Sequence, residues 1–91
     1  MKVYIVGDDG PEHNNVTSVH RTYEGAFKAW NECRLELLAE AKRSLKIHEK
    51  RGKDWGEMYG RMIKGLSCKD PEKIDNYPHE TPYIREMEIK K

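Results

Sequence analysis

The chain has 91 residues and a net charge of +1, and charged and hydrophobic residues each make up 36% of it. This length suits one domain over residues 1–91, because two separate cores need a longer chain. The balanced charge excludes a generally basic nucleic-acid-binding protein, so nucleic acid ranks last among the partners we consider. No apolar run approaches the roughly 18 residues of a membrane helix and no signal-type segment follows Met1, so we expect a cytoplasmic protein without a membrane partner.

Two strands are predicted before the first helix. In residues 1–6, Val3 and Ile5 share one face while Tyr4 and Val6 take the other, which is typical of a strand. Residues 7–11 are rich in Gly, Asp and Pro and should end that strand in a turn. Residues 16–21 predict a weaker strand that can pair antiparallel with the first.

A long helix is predicted over residues 23–50, with Thr22 as its N-cap. Its apolar side chains repeat at the spacing of one helical face: Tyr23, Ala26, Phe27, Trp30, Cys33, Leu37, Leu38, Ala41 and Leu45. Such a helix is about 42 Å long, whereas a compact chain of this size has a radius of gyration near 12 Å. We therefore expect the helix to overhang its domain and to be covered by a second helix or by another copy of the chain.

A second amphipathic helix follows, with Asp54 and Glu57 at the spacing of a capping box. Its apolar stripe consists of Trp55, Met58, Tyr59, Met62, Ile63 and Leu66. Both Trp30 and Trp55 lie on such stripes and are predicted to be buried. Gly56 and Gly60 lie four residues apart in this helix and suggest the close approach of another backbone.

The C-terminal part is predicted to hold a turn, a loop and a strand. Asp70 and Pro71 favour a short helical turn, and the two prolines within residues 76–82 favour an irregular, ordered loop. Residues 83–89 alternate as a strand. The predicted fold is α+β: a small three-stranded antiparallel sheet packed on one long helix, with a second amphipathic helix. We also expect the chain to associate with itself through the helices, as a homodimer or a larger assembly.

Candidate ligand-binding residues follow from local charge and from one stiffened loop. Positive charge is in excess over residues 42–53 and negative charge over residues 70–88. The residues that could receive an anion or stack on a base are Lys42, Arg43 and Lys46 on the helix, His20, Arg21 and Arg85 on the strands, and Tyr77, His79 and Tyr83 around the loop. A solvated helix face, ordinary exposed strand charges and tyrosines that anchor the loop are the alternative interpretations.

The sequence lacks the patterns that are typical of catalytic and metal-binding sites. Cys33 and Cys68 have no CxxC spacing, and a disulfide between them is not expected in a cytoplasmic protein. Cys33 lies on an apolar stripe, where a thiol is a poor nucleophile. The histidines are scattered, and no phosphate-binding glycine motif is present. We therefore predict a protein that is not an enzyme and that has no metal ion and no cofactor.

The two ends of the chain show a resemblance to known proteins. The opening Met-Lys-Val-Tyr-Ile-Val, the segment from Val19 to Ala26 and the closing segment from Pro82 to Ile89 resemble small ββαβ accessory proteins of bacteriophages and prophages. This resemblance implies a viral protein that counters host defence in the bacterial cytoplasm. Together with the charged segment and the loop, it favours sequestration of an anionic nucleotide signal; the alternative is a protein inhibitor that contacts a host enzyme through its helical face or acidic tail.

Overall fold

The computed structural model describes residues 1–11, 14–76 and 79–90, without the side chains of residues 49, 53 and 54. Three strands and two α-helices follow one another as β1 (Lys2–Asp9), β2 (Asn14–His20), α1 (Tyr23–His48), α2 (Lys53–Leu66) and β3 (Thr81–Glu88), with a single 3₁₀ turn (Glu49–Arg51) between the helices. The predicted α+β fold is confirmed.

The strands form one antiparallel sheet in the order β2-β1-β3. Strand β1 continues to Asp9, so the turn predicted over residues 7–11 begins too early. Position 7 requires glycine, because a Cβ there would meet the Asn15 carbonyl oxygen and would lie 2.6 Å from the Tyr83 hydroxyl, whose side chain crosses over it. Val6 of β1 pairs with Ser18 of β2, while the next residue of β1, Gly7, pairs with Val16. Thr17 of β2 is therefore the extra residue of a β-bulge.

Helix α1 confirms the predicted cap and overhang. The Gly25 N–H donates to Thr22 Oγ1 at 3.1 Å, as expected of an N-cap. The 26 residues of α1 span about 39 Å, and the molecule measures 55 × 24 × 19 Å with a radius of gyration of 14.8 Å. Helix α2 folds back against α1, so a second helix provides the cover that the apolar stripe required.

The core lies between the sheet and the first half of α1. Val6, Ala26, Trp30 and Ile74 form its buried cluster. The Trp30 side chain is fully buried, and its Nε1–H donates to the Pro82 carbonyl at 3.0 Å, which ties α1 to β3. The prediction for Trp55 is wrong, since this side chain is 45% exposed.

Helix α2 differs from the sequence prediction at its start and in its glycines. It begins at Lys53 after Gly52, whose φ of 149° suits glycine, so Asp54 lies inside the first turn and is not the N-cap. Among the described residues, no atom outside the adjoining helix backbone lies within 4 Å of a Cβ built at Gly56 or Gly60, so this part of the chain makes no close approach there. The close approach occurs at Gly65, where a Cβ would lie 2.8 Å from Asn76 Oδ1 and 3.0 Å from the Asp75 carbonyl oxygen.

The turn predicted at Asp70 is confirmed. Asp70 Oδ1 accepts a hydrogen bond from the Glu72 N–H at 2.9 Å, and the Asp70 carbonyl accepts one from the Ile74 N–H at 3.0 Å. These bonds turn the chain back from the end of α2, which brings Ile74 into the core.

Candidate functional site

A cleft of about 540 Å³ opens where α1 and α2 meet the loops that follow β1 and precede β3. We call it the helix–loop cleft. Its apolar lining includes Leu37, Ala41, Met62 and Leu66, and its polar lining is Glu40, Ser44, Tyr59, Asn76, His79 and Glu80. Both the volume and the mixture of apolar walls with a few polar groups are typical of small-molecule sites.

The helical repeat explains how two helices build this cleft. Residues three and four positions apart share one face of a helix, and Leu37, Ala41 and Ser44 of α1 follow that spacing. Tyr59, Met62 and Leu66 of α2 do the same. One face of each helix therefore contributes a wall of the cleft.

Asn76 fixes the loop wall of the cleft. Its side chain is buried, its Nδ2 donates to the Glu80 carbonyl at 3.0 Å, and its backbone N–H donates to Thr81 Oγ1 at 3.1 Å. The Asn76 carbonyl accepts a bond from the His79 N–H at 2.8 Å. These bonds hold His79 and Glu80 at the cleft, and the missing side chain at Gly65 lets the loop come this near to α2.

Carboxylates dominate the electrostatics around the cleft. Glu40 and Glu80 line it, and a smaller groove beside it, which shares Glu40, is lined by the further acids Asp8, Glu32 and Glu36. The described lining residues of the cleft include no Lys or Arg. Apart from His79, the ionisable lining residues that the structure describes in these two openings are mainly carboxylates, a setting that favours a cation over an anion.

Cys33 lies in the smaller groove and responds to that negative potential. Burial, followed by the nearby charges of Asp8, Glu36 and Glu80, raises the pKa of the Cys33 thiol from 9.0 to about 11. At neutral pH the group is a protonated thiol, which is neither a good nucleophile nor a ready metal ligand.

Arg34 is a buried residue that the sequence interpretation missed. Its side chain is only 4% exposed; Nη1 donates to the Leu66 carbonyl at 2.9 Å and Nη2 donates to Asn31 Oδ1 at 2.7 Å. The guanidinium lies 5.7 Å from the centre of the Trp30 ring. It thus binds the C-terminal end of α2, where a cation is favoured. The sequence could have indicated this burial, because Arg34 follows Trp30 by four residues and precedes Ala41 by seven on the apolar stripe.

The predicted site residues on α1 and in the loop before β3 do not lie together. His79 lines the cleft, and Tyr77 lies outside the described residues. Lys42, Arg43 and Lys46 are exposed on the side of α1 turned away from the buried Ala41. Of the predicted residues that the structure describes, His79 alone lines the helix–loop cleft.

The predicted strand residues have other neighbours. His20 shares a 2.7 Å hydrogen bond with Ser18 Oγ, and Arg21 is exposed directly after β2.

Arg85 lies on the face of the sheet turned away from α1. Its Nη2 donates to Asp9 Oδ2 at 2.6 Å, and its guanidinium lies 3.9 Å from the centre of the Tyr83 ring. The Tyr83 hydroxyl donates to Asn14 Oδ1 at 2.6 Å. The predicted residues therefore occupy several surfaces and do not form one pocket.

Comparison with known proteins finds no matching family model, no matching curated protein and no matching solved structure. Within residues 1–11, 14–76 and 79–90, no three His, Cys, Asp or Glu side chains are grouped to hold a metal ion. Neither described helix combines the length and the apolar character that crossing a membrane requires.

Proposed function

We propose that the protein is a non-catalytic binding protein that holds a small organic cation in the helix–loop cleft. The observation that carries this proposal is the pairing of a ligand-sized, partly apolar cleft with carboxylates as its charged lining residues. A site of this kind recognises an amine or guanidinium attached to an apolar body.

The proposed contacts divide between charge and apolar burial. The Glu40 carboxylate takes the cationic head of the ligand. Leu37 and Met62 receive the apolar body of the ligand, and the Tyr59 hydroxyl offers a hydrogen bond. A charge-assisted hydrogen bond contributes about 1.5–3 kcal/mol, enough to select the cation over a neutral analogue.

The resemblance to phage accessory proteins suggests the biological setting of this proposal. A phage protein in the host cytoplasm can counter defence by removing a small molecule from solution, one ligand per site. Sequestration needs an accessible cleft and no nucleophile, in keeping with the protonated Cys33 thiol.

An anionic nucleotide remains a second candidate ligand because Lys42, Arg43 and Lys46 are all exposed on one side of α1. That surface is a convex helix face and lies apart from the cleft lining. Binding there would rest on exposed ion pairs and would weaken steeply as salt is raised.

Matched ligands of opposite charge test the proposal. Tryptamine, agmatine and spermidine should raise the melting temperature and release heat in a titration, whereas indole-3-acetate, the anionic counterpart of tryptamine, should do neither. Glu40→Gln should weaken amine binding at least about tenfold through loss of the charge-assisted bond. Glu57→Gln is the matched control, because Glu57 is exposed on α2 and does not line the cleft.

Two results would count against the proposal. Absence of any heat or melting shift with all three amines at millimolar concentration would remove the organic-cation ligand class. Equal weakening by Glu40→Gln and Glu57→Gln would indicate general charge attraction in place of a site. Cyclic dinucleotides test the second candidate ligand, an anionic nucleotide. Binding of a cyclic dinucleotide that Lys46→Gln abolishes would support that candidate.

A further inference from the structure

The face of the sheet turned away from α1 is unusually apolar. Because side chains alternate along a strand, Tyr4 and Val6 of β1 face the helices, and Val3 and Ile5, which alternate with them, face outward. We call this surface the outer sheet face. Its apolar members are Met1, Val3, Ile5, Val16, Val19, Met87 and Ile89.

Neither described helix covers this face. Met1, Val16, Val19, Met87 and Ile89 are between 44% and 60% exposed. Half-exposed side chains of this size leave on the order of 100 Å² each, so the five together expose about 500 Å² of apolar surface, which lies within the roughly 300–600 Å² of the largest apolar patches on monomers, patches that often serve in binding. With its polar border, the face approaches the roughly 800 Å² that each partner contributes to a stable interface.

Two charged groups at the border of the outer sheet face, Arg85 and the Met1 ammonium, are paired within the chain. Arg85 pairs with Asp9 at 2.6 Å, and the Met1 ammonium pairs with Glu88 at 3.2 Å. Such a border neither selects a strongly charged partner nor repels an identical surface. A two-fold interface requires a surface that complements itself, and an apolar centre with internally paired charges meets that requirement.

We propose that the outer sheet face binds the same face of a second copy of the chain. The dimer is then a sandwich of two three-stranded sheets about 10 Å apart, with the helices on its two outer sides. This arrangement differs from the helix-mediated assembly that the sequence favoured. It leaves each helix–loop cleft open, since the cleft lies on the helix side of the sheet.

Charge substitutions on two surfaces test this interface. Sedimentation velocity over about 1–200 µM should show a dimer that dissociates on dilution. Val19→Glu should raise the dimer dissociation constant at least about a hundredfold, because it buries unpaired charges at the two-fold interface. Ile47→Glu is the matched control: Ile47 is 65% exposed but lies on α1, so this variant should keep the wild-type dissociation constant.

Two further measurements keep the test decisive. Met87→Lys repeats the perturbation from β3 in case Glu at position 19 unfolds β2, and circular dichroism melts establish that each variant is folded. Folded, monomeric Val19→Glu should still bind tryptamine, which separates this test from that of the cleft. A wild-type monomer at the highest concentration, a folded Val19→Glu and Met87→Lys pair that still dimerises, or loss of the dimer in Ile47→Glu would each overturn the proposal.

Discussion

Replacing Gly65 by Ala should destabilise the protein, even though Ala is ordinarily the better helix former. The added Cβ would lie 2.8 Å from Asn76 Oδ1 and 3.0 Å from the Asp75 carbonyl oxygen. Neither atom moves freely, because Asn76 is buried and its amide and backbone N–H are both bonded to neighbours in the loop. The loop must shift, and with it the wall that holds His79 and Glu80.

The expected size follows from two opposing effects. Overpacking of this kind costs about 1–3 kcal/mol, and Ala recovers less than the roughly 1 kcal/mol of a mid-helix position because Gly65 lies in the last turn of α2. We expect a net loss of about 1–2 kcal/mol in the free energy of unfolding. For a domain of this size that corresponds to a fall in melting temperature of about 5–10 °C.

Gly60→Ala is the internal control, since no described atom outside the adjoining helix backbone lies within 4 Å of its Cβ position. In urea melts followed by tryptophan fluorescence, this variant should be more stable than wild type by about 0.5–1 kcal/mol. The two substitutions are chemically identical and lie in the same helix, yet they should have opposite signs. Gly65→Ala at or above wild-type stability would refute the assigned loop contact. A concentration-dependent loss in Gly60→Ala would instead indicate a second backbone at that position.

Three further predictions concern buried side chains. Trp30→Phe should cost about 2–4 kcal/mol in urea melts, because it removes volume and leaves the Pro82 carbonyl without its donor; a loss below 1 kcal/mol would contradict this. Arg34→Ala should cost a similar amount and should increase hydrogen exchange at the end of α2, where the Leu66 carbonyl loses its partner. Cys33 ionises near pH 9.0 in the unfolded chain but only near 11 when folded, so stability should fall as pH rises through that window. Cys33→Ala should lose less stability between about pH 8 and 10.5 by the same assay, and parallel losses would reject this assignment.

Much of the architecture could be predicted because it depends on local periodicity. The alternation in β1 and β3, the stripe of α1 and the Thr22 cap are all features of neighbouring residues. The errors arise where distant contacts decide. Gly7 resembles a turn residue until Tyr83 is placed over it, and Trp55 follows the apolar stripe of α2 yet remains half exposed.

The candidate site was harder to predict for the same reason. The helix–loop cleft combines two helices and two loops, and the carboxylates of Glu40 and Glu80 meet there only after folding. A charge excess in the sequence drew attention to Lys42 and Lys46, which the helical repeat turns away from the cleft. His79 was predicted as a loop residue that could contact a ligand, and the structure places it at the cleft beside acidic residues.

The bulge at Thr17 determines what the molecule shows to its surroundings. Because one surplus residue sits between Ser18 and Val16, Val16 lies beside Gly7, on the same side of the sheet as Val19, and Asn14 comes within reach of the Tyr83 hydroxyl. The same sequence paired without the bulge would place Thr17 beside Gly7 and turn Val16 inward. The irregular pairing therefore keeps a valine, in place of a threonine, on the exposed surface of the sheet.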